Sequence, residues 1–172
     1  MEAAVASLAA MFDLNTDLLL NCLSGLSEAE AQAQLPGGGN SISFLVAHLT
    51  DTRYYLVTQL GRPLANPLAG HLEDARSIDE IRSWPPLADL RHAWLTVSSH
   101  LGQALASLSA EQLHRPVKHR LSLDGTELGL IAFLAQHDSY HLGQLGFVRR
   151  QLGKPAMSYA RAERAGAPAG TV

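Results

Sequence analysis

Apolar residues recur along this chain at the period of a helix and almost nowhere at the period of a strand. Val5, Leu8, Phe12, Leu19, Leu23 and Leu26 step mostly by three, four or seven, which predicts an amphipathic helix over residues 3–23. Ser27 with Glu30 three positions later is a capping-box pattern and predicts a short helical turn. Leu35-Pro36-Gly37-Gly38-Gly39-Asn40 then breaks the chain. A second helix is predicted over residues 41–60, with Leu45, His48, Leu49, Thr52, Leu56 and Gln59 or Leu60 on one face. The third, over residues 87–108, places Leu87, Leu90, Trp94, Val97, Leu101, Leu105 and Leu108 at near-heptad spacing. The fourth, over residues 127–152, has Leu130, Leu134, His137, His141, Leu145, Val148 and Leu152 along one seam.

The connections are as informative as the helices. Residues 61–86 carry Pro63, Pro67, Gly70 and Pro85, with one short helix suggested by the Ser77 and Glu80 pair. A linker of that length can cross a bundle, so the second and third helices need not be antiparallel neighbours. Gln59-Leu60-Gly61-Arg62-Pro63 is echoed by Gln151-Leu152-Gly153-Lys154-Pro155, which reads as a shared stop signal rather than a repeat. Residues 117–123 alternate and predict a short extended piece before the last helix. The three glycines of the first loop are followed by no Lys-Ser or Lys-Thr pair, so a phosphate loop is not predicted. The expected organisation is one all-α domain over residues 1–155 and a tail over 156–172 rich in Ala and Gly.

Composition agrees with the periodicity. The chain of 172 residues holds 30 Leu and 25 Ala but 7 Val and 4 Ile, which excludes an all-β fold. A formal charge of -3 offers no basic excess for phosphates, so nucleic acid is not an expected partner. The one cysteine, Cys22, cannot form an internal disulfide and is expected to be buried and structural. Glu2 precedes the apolar N-terminal stretch where a secretory signal would carry a positive charge, and polar residues interrupt each apolar run before about 18 residues. The expectation is a cytoplasmic protein without a membrane segment.

Two histidines occupy interior positions of the fourth helix. Residues four apart on a helix lie one above the other, with Cβ atoms ~5–6 Å apart, close enough for His137 and His141 to share an ion. His48, on the apolar seam of the second helix, supplies a third inward imidazole. Three histidines with a fourth position left to water is the pattern of a catalytic metal centre. A histidine on an apolar face is more often a hydrogen-bonded core residue than a ligand, and the pattern alone leaves both readings open. His71, His92, His100, His114 and His119 fall on loops or off the seams and are read as solvated. His137-Asp138-Ser139-Tyr140-His141 has zinc-protease spacing but carries Asp138 where that motif requires Glu. The single Glu-x-x-His pair, Glu111 with His114, falls in a predicted short turn, and the first and third helices lack inward carboxylates, so a di-iron site is disfavoured. Gln144 and Asp138 are the candidates to accept a hydrogen bond from a ligating imidazole. Gly143 and Gly146 are expected to permit close helix packing. No catalytic residue is assigned, and Tyr54, Tyr55, Trp94 and Tyr140 are equal candidates to line a pocket.

The segment Gln136-His137-Asp138-Ser139-Tyr140-His141-Leu142-Gly143-Gln144-Leu145, followed by Arg149-Arg150-Gln151-Leu152-Gly153, resembles the last helix of the DinB/YfiT-like family. Phe44-Leu45-Val46-Ala47-His48-Leu49 is a second match, and order and spacing agree over about residues 3–155. The resemblance implies a four-helix bundle of up-down-down-up topology, which the long crossover after Gly61 fits. It also implies a divalent metal, often zinc or nickel, held at His48, His137 and His141. Characterised members include S-transferases that use low-molecular-weight thiols and a thiol-dependent isomerase, and many members are dimers. The expectation is therefore a mononuclear metal-dependent enzyme carrying out thiol transfer, or a related metal-assisted transfer or hydrolysis, on a small-molecule substrate. The alternative is a non-catalytic bundle that binds a metal or small ligand.

Overall fold

The structure, a computed structural model, describes residues 3–72, 81, 83–162 and 164. The elements in chain order are α1 (Ala3–Leu23), α2 (Glu28–Gln32), α3 (Ile42–Gln59), α4 (Ala69–Leu72), α5 (Leu87–Ala106), α6 (Ala110–Leu113) and α7 (Glu127–Gln151). The four long helices coincide with the four apolar stripes. Ser27 caps α2 through the expected capping box, with Glu30 reaching back to the Ser27 backbone N–H at 2.9 Å. Among the described residues the long connection holds one short helix, Ala69–Leu72, and the helix suggested by the Ser77 and Glu80 pair lies outside the described residues.

The two echoed stop signals do the same physical work. Gly61 (φ 80°) and Gly153 (φ 75°) adopt the left-handed conformation just past the last helical turn. Arg62 N then donates to Val57 O at 3.1 Å, and Lys154 N to Arg149 O at 3.2 Å, which satisfies carbonyls the helix leaves unpaired. The alternating segment does not form a strand. It is flanked by one isolated bridge, Pro116 with Thr126, where Val117 N donates to Gly125 O at 2.8 Å and Glu127 N to Arg115 O at 3.0 Å.

Helix α1 packs on α5 and α7, and α3 packs on the same two, so the long helices occupy four corners around a shared core. The core has two buried clusters. One joins Leu18–Leu23 residues of α1 and Leu142, Leu145 and Val148 of α7 to Leu45, Leu49, Leu90 and Trp94, which belong to the first halves of α3 and α5. The other joins Val5, Phe12, Leu130 and Leu134 to Leu56, Val57, Leu101 and Leu105. Each fully buried Leu contributes about 1.5–3 kcal/mol of transfer free energy, and the two clusters supply the main apolar burial that offsets the entropy of ordering the chain.

Three expectations change. First, α1 is long and apolar enough by length and composition to cross a membrane. Val5, Phe12, Leu18, Leu19, Leu20 and Leu23 are instead buried in the bundle, beside buried Asn15, Thr16 and Asp17, while Leu14 is exposed. Second, Asp17 is an inward carboxylate on the first helix that the stripe did not reveal. It is covered by the segment after Pro155, where Arg161 and Arg164 reach it at 3.0 and 2.7 Å. Third, Gly143 and Gly146 face open space rather than another helix, since a Cβ at either would meet no atom within 4 Å.

Candidate metal centre

Local capping sets the two helices that carry the histidines. Ser41 Oγ accepts from Phe44 N at 3.2 Å and starts α3 seven residues before His48. Thr126 Oγ1 accepts from Gly129 N at 3.1 Å and starts α7. Asp124 in turn accepts from the Thr126 N–H and hydroxyl at 2.9 and 2.7 Å. From these starts the helical period brings His48 on α3 to face His137 and His141 on α7.

The three imidazoles converge on one another through the same ring atom. His48 Nε2 lies 3.2 Å from His137 Nε2, and His141 Nε2 lies 3.1 Å from it. The three possible ligand atoms all fall within 4.8 Å of one another. Two nitrogens bound ~2.0–2.1 Å from one tetrahedral ion stand about 3.3 Å apart, so the observed spacing suits a shared cation. It suits a purely protein-made network less well. A neutral imidazole nitrogen has either one proton or one lone pair in the ring plane, so His137 Nε2 cannot make ordinary hydrogen bonds to both neighbours.

Protonation favours ligation. Burial, then the neighbouring His141 and His48, pushes His137 down to about 4 from an ordinary 6.5. Burial and His141 also lower His48, with Asp51 opposing them. Gln144 Oε1 sits 2.7 Å from His141 Nδ1. The amide oxygen accepts, so Nδ1 carries the proton and Nε2 presents its lone pair toward the other rings. Of the two candidates for this orienting role, Gln144 is the residue in contact. Asp138 Oδ2 pairs with Arg53, and its Oδ1 has no hydrogen-bond partner, so its carboxylate does not hold an imidazole. One residue on from His137, it is turned about a quarter of the way round the helix, away from the cluster and into the core.

Aromatic rings surround the imidazoles. Phe44 stacks on His48 with ring centres 6.0 Å apart, Phe133 lies 6.3 Å from His137, and Tyr140 meets His141 edge-on at 5.1 Å. Tyr140 and Gln144 also line a groove of about 460 Å³ with Gly38, Asn40, Gly143 and Phe147. The glycine loop is thus one wall of that groove. Of the other aromatic candidates, Trp94 and Tyr54 are buried in the core, and Tyr55 lies against His119.

The remaining histidines stay apart from the cluster. His92 and His114 are exposed, and His71, His100 and His119 are partly so. Cys22 is fully buried, and burial pushes its thiol up to about 11. Two buried arginines went unnoticed in the sequence. Arg149 donates to Cys22 O and Ser24 O at 2.9 and 2.7 Å, tying α7 to the end of α1. Arg53 lies at the centre of the bundle. The available signal was its spacing, four after Leu49 and three before Leu56, which puts a charge on an apolar stripe.

The family model described as the DinB superfamily matches residues 11–145, a span that includes all three clustered histidines. No curated protein and no solved structure gives a match.

Proposed function

Because this chain belongs to the DinB superfamily, we propose that His48, His137 and His141 hold one divalent cation, zinc or nickel, in a mononuclear centre. The observation that carries this reading is the convergence of three Nε2 atoms, with 3.1 and 3.2 Å separations from His137. We further propose that the centre serves a metal-assisted transfer or hydrolysis on a small-molecule substrate, with a low-molecular-weight thiol as cosubstrate. When bound, the cation supplies Lewis acidity at its open position, which favours the thiolate over the thiol.

The roles of the protein groups follow from their geometry. His48 and His137 are held neutral by burial, which keeps their lone pairs free at neutral pH. Gln144 fixes the tautomer and the ring plane of His141. Phe44, Phe133 and Tyr140 pack beside the rings and restrict their rotation. Cys22 does not act as the nucleophile in this proposal, since its thiol is buried and stays protonated.

The proposal extends to the whole chain as an up-down-down-up bundle over residues 1–155 that acts in the cytoplasm as a homodimer. The topology is supported by the two core clusters, each of which joins one end of α1 and α7 to the opposite end of α3 and α5.

Elemental analysis of zinc- or nickel-reconstituted protein tests the centre. Wild type is expected to hold one ion per chain, and His48→Ala and His137→Ala much less. Equal metal content in all three would remove the centre. Turnover of a thiol and an electrophile that stops on chelation and returns with metal supports the enzyme. Metal-dependent ligand affinity without product would assign the non-catalytic alternative.

A further inference from the structure

We propose that the buried pair Arg53 and Asp138 positions the imidazole cluster by fixing the register of α3 against α7. This inference rests on the reading of the three histidines as ion ligands. Both residues lie on the helices that carry the cluster, and their side chains are each 1% exposed. Arg53 Nε and Nη2 both reach Asp138 Oδ2, at 2.9 and 2.7 Å. Nη1 donates to Thr16 Oγ1 at 2.8 Å and Ser98 Oγ at 2.6 Å, and Nη2 also donates to Phe12 O at 3.0 Å. The guanidinium carbon sits 3.7 Å from the centre of the Trp94 ring. All three guanidinium nitrogens thereby donate, and the partners come from α1, α5 and α7, so Arg53 contacts all the other long helices.

Stability alone does not require such a hub. Removing two charges from water is costly, and a well-packed apolar pair in the same volume commonly stabilises a fold as well or better. What an ion pair supplies is discrimination between registers. Buried leucines flank the cluster on both helices, Leu45, Leu49 and Leu56 on α3 and Leu130, Leu134 and Leu145 on α7, and apolar contacts of this kind discriminate weakly between neighbouring registers. The guanidinium meets its acceptors on three helices only at one relative placement of them, and a polar group at one interior position is the best-attested device for setting register. Register is what the cluster needs. A slip of one turn moves α3 by ~5.4 Å, which takes His48 out of reach of both other rings.

The double variant Arg53→Met/Asp138→Leu removes both charges and keeps apolar volume in the core. Three measurements apply to it and to wild type: thermal unfolding by circular dichroism, titration with Co2+ followed by ligand-field absorption, and ring-to-ring nuclear Overhauser effects between His48 and His137 in metal-free protein. The expected result is a helical, cooperatively melting variant whose Co2+ affinity is about ten-fold or more weaker, with an altered absorption envelope and lost ring contacts. Arg53→Lys, which keeps the charge without the fork, is expected to restore neither. A folded double variant with wild-type Co2+ affinity, spectrum and ring contacts would overturn the proposal. If the double variant does not fold, Asp138→Asn carries the test through the same measurements, and no change there overturns it equally. If wild type binds no Co2+ while the ring contacts still vanish in the variants, the metal reading fails and the positioning role stands.

Discussion

At the scale of single residues, the histidines set an acid limit on the metal-free protein. An unfolded imidazole takes up its proton near 6.5, whereas His137 in the fold does so only near 4. Between those values the unfolded chain binds more protons, so stability rises with pH across that window. The contribution is absent above about pH 6.5 and grows more unfavourable as pH falls toward 4, and His48 shifts in the same direction. Thermal melts of metal-free protein at about pH 7.5 and 5 are expected to differ more in wild type than in His137→Ala. A second expectation concerns the amide that holds His141. Gln144→Ala should leave the fold intact and weaken metal binding about 10–100-fold, measured by competition with a chromophoric chelator. A variant with undiminished affinity would show that His141 keeps its orientation without the Gln144 contact.

The individual helices are governed by their ends and their seams. Glycine is required at position 61 because its φ of 80° lies where a side chain crowds the following carbonyl. Gly61→Ala is expected to cost about 1 kcal/mol, read as a lower urea midpoint with an unchanged slope, while metal content stays the same. The same freedom is used in the first loop, where Gly37, Gly38 and Gly39 all take positive φ, Gly38 N bonds to Leu35 O at 3.0 Å, and the loop forms a wall of the groove. Gly143 teaches the opposite lesson. A glycine within a helix suggests close packing, yet Gly143 borders that groove and touches no neighbouring helix.

For the molecule as a whole, the segment after Pro155 belongs with the bundle more closely than its composition implied. Asn21 donates to Ser158 O and Ala160 O at 2.7 and 2.8 Å, and Arg161 and Arg164 each bridge Asp13 and Asp17. Arg161 is largely exposed, so its pairs are weak and screened by salt. The buried partner is Asp17, at 3% exposure, and stripping its donors should cost roughly 1–3 kcal/mol. Truncation after Pro155 is therefore expected to lower the melting temperature by a few degrees and to flatten its dependence on sodium chloride. An unchanged melt would mean that the segment contributes nothing to the fold.

Local sequence by itself determined the four long helices, through their apolar stripes, and their stop signals and the α2 capping box, through Gly, Pro, Ser and Glu, because each depends on residues within one or two turns of each other. It also placed His48, His137 and His141 on interior stripes, and the spacing of the latter two made them neighbours on one face. Three things were decided only when the helices packed. His48 had to meet its partners from 89 residues away. Gln144 rather than Asp138 had to be the group in contact with an imidazole, since Asp138, one residue past His137, is turned from the cluster into the core. Arg53 had to find acceptors on three other helices, and Asp17 a cover from the far end of the chain. A stripe records which face of a helix is buried, whereas the partner of a buried charge is fixed by the register and rotation of helices distant in sequence, which no local pattern encodes.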